Sequence, residues 1–562
     1  MSCSLAAGLQ PRLDRPMRAV PLSCWLVVTS LLLAACGGGE DERSSFPVEI
    51  SPEVRDDGTT VFRRGNGAEP GTLDPHQARG VPAANILRDL YEGLVSISPT
   101  GEVEPGNAAD WTISDDKLTY TFELRADARW SNGEPVTAQD YVYGLRRAVD
   151  PATASPYAQL HTPIEHAAAI IDGDRPPDSL GVRAVDDHRL EITLAEPTPY
   201  FLGTLAHPSS FPVYAPALEA HGDAFTQPGN AVTNGAYTMD AWRVNSRITL
   251  VRNDAYWDDA DTAIDRVEYY PIVDANSELS RYQAGELDWA SMIPPSRLDA
   301  AREHIPDQLQ IEPTLGVYYY GLNVRRAPFK DAPELRQALS MAIDREVIVD
   351  KITRGGEIPA YGWIPPAVDG YEGARFEWAD LPADEREARA RELYREAGYS
   401  EDEPLQLEIR YNSNEANKKI ASVIQAMWRR VLGAEVELRN EEWKVFLDAV
   451  RSGRDTEAYR LAWIGDYDDP NTFFELMNSG FGLNGTGYAS DAYDRLQEKQ
   501  AHMPDGAERD EVMHAAEARL LADSPVIPIY FYTSKYLVKP YVTGFEGNPL
   551  DIYYSKDLAI EP

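Results

Sequence analysis

Cysteine is nearly absent. The chain of 562 residues holds three, Cys3, Cys24 and Cys36, all within the first 36 positions. Beyond them no disulfide framework and no paired-cysteine redox or zinc motif can form. Other signatures are missing too. There is no G-x-S-x-G, no H-E-x-x-H and no G-x-x-x-x-G-K, which removes the common nucleophile-elbow, zinc-protease and P-loop chemistries. The nine histidines are scattered; His161 and His166 lack helical ligand spacing, and His221, His502 and His514 read as surface residues. No cofactor or metal site is expected from such a pattern. Positive charge is also scarce: 53 basic residues face 91 acidic ones, a net charge of -38. Such a surface repels phosphates, so nucleic acid is excluded as a partner. The carboxylates are too numerous for a catalytic pair to stand out. The chain therefore reads as no enzyme, with a secreted hydrolase working through carboxylates as the rival from another class.

What is present describes a soluble, monomeric globular protein of two or three domains. Hydrophobic residues make up 43% and tyrosine is frequent, at 30, which suits surfaces that are both apolar and hydrogen-bonding. At the N-terminus, Met17-Arg18 precedes an apolar run from Ala19 to Ala35, the layout of an export signal. The natural start is expected at Met17. Leu33-Ala34-Ala35-Cys36 is similar to a bacterial lipoprotein signal, whose cysteine is lipidated. Residues 1–36 are thus expected to be the signal and 37–45 a flexible tether, giving an extracytoplasmic protein of the cell envelope anchored to a membrane.

The chain is organised around RLAWIGDYDDP, Arg460 to Pro470. Tyr459, Leu461 and Trp463 alternate with Ala458, Arg460 and Ala462, the period of a strand. The strand runs out into three acids, Asp466, Asp468 and Asp469. A carboxylate there can hold a cation, and a free strand edge can pair with an extended guest. A loop aspartate can equally cap the next turn.

Elsewhere helices and strands alternate, which gives an α/β class with mixed sheets. Strands are expected at Leu118–Leu124, Arg189–Leu194, Leu315–Val324 and in VIPIYFYT near the end. Helices are expected after Thr137, with Asp140 completing a capping box; from Pro333 to Lys351; and from Glu415 to Leu432, stopped by Gly433. EEWKVFLDAV reads as a further helix. No internal repeat is seen, and no linker cleanly separates domains, so lobes are expected to be built from discontinuous segments.

RWSNGEPVTAQDYVYGLRRAVDPATASPYA, VTNGAYTMDAW, ALSMAIDREVIVDKI, EEWKVFLDAV, WIGDYDDP and LVKPYVTGF together resemble the oligopeptide-binding proteins of bacterial ABC importers, the peptide-binding class of solute-binding protein family 5. The resemblance runs from about Val61 to the C-terminus. It implies a periplasmic-binding-protein-like (type II) fold with a hinged cleft and three lobes: 46–91, 216–315 and 534–562; 92–215; and 316–533. It implies that a short peptide is trapped between the first and third lobes and delivered to a membrane permease powered by an ATPase. Asp466 matches the acid that holds the peptide α-ammonium. Ala462 and Ile464 match positions whose backbone pairs with the guest, and Val81 one on the opposite wall. Trp443, Trp463, Tyr157, Tyr319 and Tyr532 match aromatics of the cleft, with core packing as the alternative for each.

The chain departs from the family's archetype where the peptide carboxylate is held. Arg460 matches one basic group, but Thr353, Val450 and Asn417 stand where the archetype has Lys, Arg and His, and Arg79 stands in place of an acid. Arg460 and Arg79 remain as candidates, and a changed guest length or type is expected. Gly316 and Ile464 occupy both half-cystine positions of the archetype's disulfide. Rival ligands are cell-wall (murein) peptides, haem or another small cationic or zwitterionic solute; a structural surface lipoprotein is a third class.

Overall fold

The computed structural model describes residues 58–561, except the side chains of Trp443 and Lys444. The export segment, Cys36 and the tether lie outside the described residues. In chain order the principal strands are β1 (Val61–Gly65), β2 (Ala108–Ile113), β3 (Thr119–Leu124), β4 (Val182–Asp186), β5 (Arg189–Thr193), β6 (Tyr237–Arg243), β7 (Arg247–Arg252), β8 (Arg266–Tyr270), β9 (Trp289–Ala290), β10 (Leu309–Leu322), β11 (Gln406–Asn412), β12 (Glu435–Glu441), β13 (Ala458–Ile464) and β14 (Val526–Val538). Among the described residues an eleven-stranded sheet has the order β12, β11, β13, β10, β14, β9, β1, β8, β7, β6, with the short strand Ile358–Pro359 pairing on β14. β1 runs parallel to β8 and β11 parallel to β12, while β10 is antiparallel to β13 and β14. The class is α/β with mixed sheets. A separate antiparallel sheet joins β2, β3, β5 and β4 in that order.

β10 and β14 are the longest strands, 14 and 13 residues, and they pair with each other from Leu309–Leu537 to Gly321–Val526. The ladder shifts register between Pro313 and Val317 and again between Tyr318 and Tyr319. Each strand thus serves both halves of the large sheet, and the shifts add local twist where the halves meet. Tyr318, Tyr319 and Tyr320 are all buried, because both faces of this central strand are covered.

Five helices show how local sequence sets the elements: α1 (Val81–Leu90), α2 (Ala138–Val149), α3 (Pro333–Met341), α4 (Glu415–Leu432) and α5 (Trp443–Ser452). At α2, Asp140 accepts from the Thr137 backbone N–H at 2.8 Å, the expected capping box. α4 starts at Asn414, whose side chain accepts from Ala416 and Asn417. It stops at Gly433, which takes a left-handed φ of 74° that a side chain disfavours. The expected helix over 333–351 is instead broken. It stops at Met341 and resumes at Arg345 behind Asp344, whose carboxylate accepts from the Val347 N–H at 3.0 Å. The cause is Arg345. Its fully buried guanidinium donates to the carbonyls of Ala360 (2.7 Å), Pro528 (2.9 Å) and Ser340 (3.1 Å). A buried cation needs those acceptors, and the chain bends to supply them.

Among the described residues no helix is long and apolar enough to cross a membrane, and no group of His, Cys, Asp and Glu is arranged to hold a metal ion.

Candidate functional site

β13 has one complete neighbour and one partial one. It pairs with β10 along its whole length, from Gly316–Ile464 to Leu322–Ala458. On its other edge β11 reaches it only at Ala458 and Tyr459. The Gly465 N–H donates to the Leu315 carbonyl at 2.7 Å, which fixes the alternation of the ladder. Leu461 and Trp463 turn their amides toward β10. Arg460, Ala462 and Ile464 turn theirs toward the open edge. At roughly 3.3 Å per residue this edge spans about 13 Å, room for about four residues of an extended guest. The close approach of β10 depends on Gly316: a Cβ there would lie 2.7 Å from Ile464 Cδ1. The Ile464 side chain therefore takes the space that a side chain at 316 would need.

The strand ends at Gly465, and Thr472 holds the loop beyond it. Its hydroxyl oxygen accepts from the Asp466 N–H and from the Trp463 indole, both at 3.3 Å. The three acids of the loop then differ sharply. Asp469 is buried and paired with Arg509, at 2.7 and 2.8 Å. Asp468 accepts from the Asp369 N–H at 3.2 Å and is lifted by burial to about 6. Among the described residues the Asp466 carboxylate has no hydrogen bond and no ion pair. Burial pushes it up to about 7, partly offset by the charge of Arg88. Glu475, close by, is raised further by its own burial and by the charge of Asp466. An acid left this way gains from a cation that enters beside it.

Asp466 stands where two cavities meet. One, of about 700 Å³, is also lined by Glu102, Tyr200, Asp369 and Tyr467. The other, of about 380 Å³, is lined by Arg79, Val81, Tyr157, Trp463, Ile464 and Asp466. Six of the residues expected at a site thus surround one cavity. Val81, Ile464 and Leu483, all on its wall, are apolar side chains left 57%, 40% and 40% exposed. Tyr157 stacks obliquely on His207, centroids 4.4 Å apart.

Three more expected residues form a second cluster. The Arg460 guanidinium donates to Tyr532 Oη at 2.8 Å and to Asn412 Oδ1 at 3.3 Å, and lies 4.4 Å from the Tyr318 ring centre. Asn417 donates to Asn412 Oδ1 at 2.9 Å and accepts from Tyr318 at 3.3 Å. None of these three lines either cavity, and Arg460 already has partners. Tyr319 packs in the core, edge-on to Trp363 at 5.1 Å, and lines neither cavity, which is the core-packing alternative for that position. Ala462 contributes only its backbone edge. Trp443 opens α5, but its side chain lies outside the described residues. Val450 is buried with Phe446 and Tyr459. Thr353 donates to Glu357, which is itself paired with Lys535 at 2.9 Å; a basic group is present there, and neutralised.

Two arginines escaped the sequence reasoning. Arg88 lines both cavities, and its Nε is buried without a partner. Its only sequence signal is a charge inside the apolar helix α1. Arg451, in the last turn of α5, also lines the smaller cavity.

The family model described as "Bacterial extracellular solute-binding proteins, family 5 Middle" matches residues 102–485. The periplasmic oligopeptide-binding protein OppA of Escherichia coli (strain K12) is 41% identical over 540 residues, 95% of this chain and 98% of the relative. The probable deoxycholate-binding periplasmic protein YgiS of the same strain is 39% identical over 542 residues, 96% and 98%. Among solved structures, the murein tripeptide binding protein MppA of Escherichia coli superposes with a TM-score of 0.83 at 38% identity, covering 89% of this chain and 98% of that one.

Proposed function

The chain belongs to family 5 of the bacterial extracellular solute-binding proteins, and from that premise we propose that it captures short peptides for import. Relatives of nearly equal similarity carry names for different ligands, oligopeptide and deoxycholate, so similarity alone does not select the guest. What favours a peptide is an open strand edge with a half-buried, unpartnered acid at its end. The guest lies along Arg460–Ile464, antiparallel to β13, and its α-ammonium meets Asp466. Backbone pairing is shared by all peptides and gives affinity without sequence selectivity; the charged contact fixes the register. A sterol acid offers neither group.

The remaining assignments complete this reading. Cys36 carries lipid, and the protein hands its guest to a permease and ATPase in the membrane without doing chemistry. The lobes divide at 46–91, 216–315 and 534–562; 92–215; and 316–533. Supporting this division, β10 and β14 run through 315/316 and 533/534, and their ladder shifts near the first of these points. Across the second and third of these lobes, Tyr200 stacks on Tyr467 at 4.7 Å, and His502 lies 3.4 Å from Glu196, contacts of the kind a closed state would make. Closure traps the guest by shifting an open–closed balance. Murein peptides are the second guest class, favoured by the likeness to MppA.

Calorimetric titration with a ladder of free and N-acetylated peptides tests the proposal, followed by mass spectrometry of the recovered guest. Saturable binding of free-amine peptides, recovered intact, is expected. Steady cleavage would point to a hydrolase, and no saturable binding of any peptide would end the proposal.

A further inference from the structure

Beyond the 380 Å³ cavity lies a third, of about 280 Å³, which shares Arg451 and Leu483 with it. Its wall carries two arginines, Arg325 and Arg451, and no carboxylate. In a chain with 91 acidic and 53 basic residues this is against the grain of the composition. Among the described residues neither arginine has an ion pair. Arg325 is held from behind, donating to the carbonyls of Gly485 at 3.0 Å and Asn484 at 3.2 Å. Gly487 lets it lie there, since a Cβ at that position would sit 2.1 Å from Arg325 Nε. Backbone carbonyls position a guanidinium without neutralising it, so its charge remains for a guest. The acids behind the wall are already engaged: Asp494 accepts from Ser479 at 2.6 Å and Asp523 from Tyr488 at 2.7 Å.

The chamber also has a definite direction relative to β13. α5 packs Phe446 and Val450 against Tyr459, with Leu461 beside them. The chamber lies on that side, since Tyr459 Oη would lie 2.7 Å from a Cβ at Gly485, one of its lining residues. A guest strand on the open edge presents alternate side chains to the same side. The result is an axis of charge, with Asp466 at one end of the middle cavity and Arg451 at the passage into the third.

Resting on the peptide reading, we propose that the chamber between Arg325 and Arg451 receives a carboxylate of the guest, and that Arg451 selects for it. The carboxylate comes either from the peptide C-terminus or from an acidic side chain at an alternate position. Either source makes the same charge-assisted bonds to a guanidinium.

The test is calorimetric titration of the full chain and its Arg451→Gln variant with alanine tri- and tetrapeptides, as free acids and as C-terminal amides. A second arm uses the same peptides with Glu or Gln at position 2 or 3. Arg451 is exposed, so the variant should fold, and an unchanged melting temperature of the guest-free protein checks that. The parent should prefer one acidic form, and Arg451→Gln should lose roughly 10- to 100-fold for that form alone. The arm that shows the loss names the source. If parent and variant bind acid and amide, and Glu and Gln, alike within 2-fold, the chamber receives no carboxylate, while the peptide reading stands on discrimination against N-acetylated guests. If the parent binds no peptide, both fall together.

Discussion

Replacing Asp466 with asparagine should make the empty protein more stable and the loaded protein much weaker. The carboxyl is raised from 3.8 to about 7 by burial. At about 1.4 kcal/mol per unit, keeping it ionised above pH 7 costs on the order of 4 kcal/mol as an upper bound. The sign follows from linkage. The folded protein holds this proton more tightly than the unfolded chain, so this contribution to stability falls as pH rises from about 4 to about 7 and is flat above. Asp466→Asn removes the cost, so the gain appears at pH 8 and vanishes near pH 4. With an unfolding entropy of about 2.1 cal/mol/K per residue over roughly 500 residues, 1 kcal/mol moves Tm by about 1 °C. The guest-free variant should therefore melt roughly 2–4 °C higher at pH 8. In the complex, an ammonium would lie buried opposite a neutral amide, at a cost of about 2–5 kcal/mol, or roughly 30- to 4,000-fold in Kd. N-acetylated peptides should bind parent and variant alike. Differential scanning calorimetry at pH 4 and 8, with titration of free and acetylated tripeptides, reads all of this. A lower Tm at pH 8, or an equal loss for both peptides, would refute the reasoning.

Three further outcomes are expected. Affinity for a free-amine guest should fall about tenfold per pH unit below about pH 7, where Asp466 must lose a proton before it can pair, and affinity for an acetylated guest should stay flat; calorimetry from pH 8 to 5 checks this. Asp469→Ala should destabilise by about 1–3 kcal/mol in urea unfolding, because it removes the buried partner of Arg509 and leaves only Gln500 and the more exposed Asp505, and no measurable loss would show the pair to be solvated. Gly316→Ala should cost about 1–3 kcal/mol through the clash with Ile464 and Tyr532. Ile464→Ala in the same chain should recover part of that loss, and no recovery in the double mutant would place the strain elsewhere.

Much of the fold was legible because local chemistry and final structure agree. β13 appears where Tyr459, Leu461 and Trp463 alternate, and α4 ends where Gly433 can turn left-handed. β10 and β14 were seen only in part, since their outer halves lack the apolar run that marks the centre. The break after Met341 was invisible because its cause, acceptors for Arg345 at Ala360 and Pro528, arrives from distant sequence. The site shows the same limit. Asp466, Asp468 and Asp469 are chemically identical in a sequence, and only Arg509, supplied from 40 residues away, tells which one is already paired. Tyr319 matched an aromatic of the cleft, yet burial of both sheet faces carries it into the core. Arg88 and Arg451 announce themselves only through the space they border.

The basic groups explain why selectivity should reside at the ends of the guest. A guest laid along β13 meets backbone for about four residues, and backbone is blind to sequence. The cations near the middle of that path are unavailable: Arg460 bonds Tyr532 and Asn412, and Lys535 is neutralised by Glu357. A carboxylate placed there would have to displace a formed, buried contact, which offsets most of what it gains. Arg79, Arg88 and Arg451, which border the cavity without an ion pair among the described residues, carry no such penalty. The arrangement therefore favours a guest anchored by its amine at Asp466 and reaching outward to a cation.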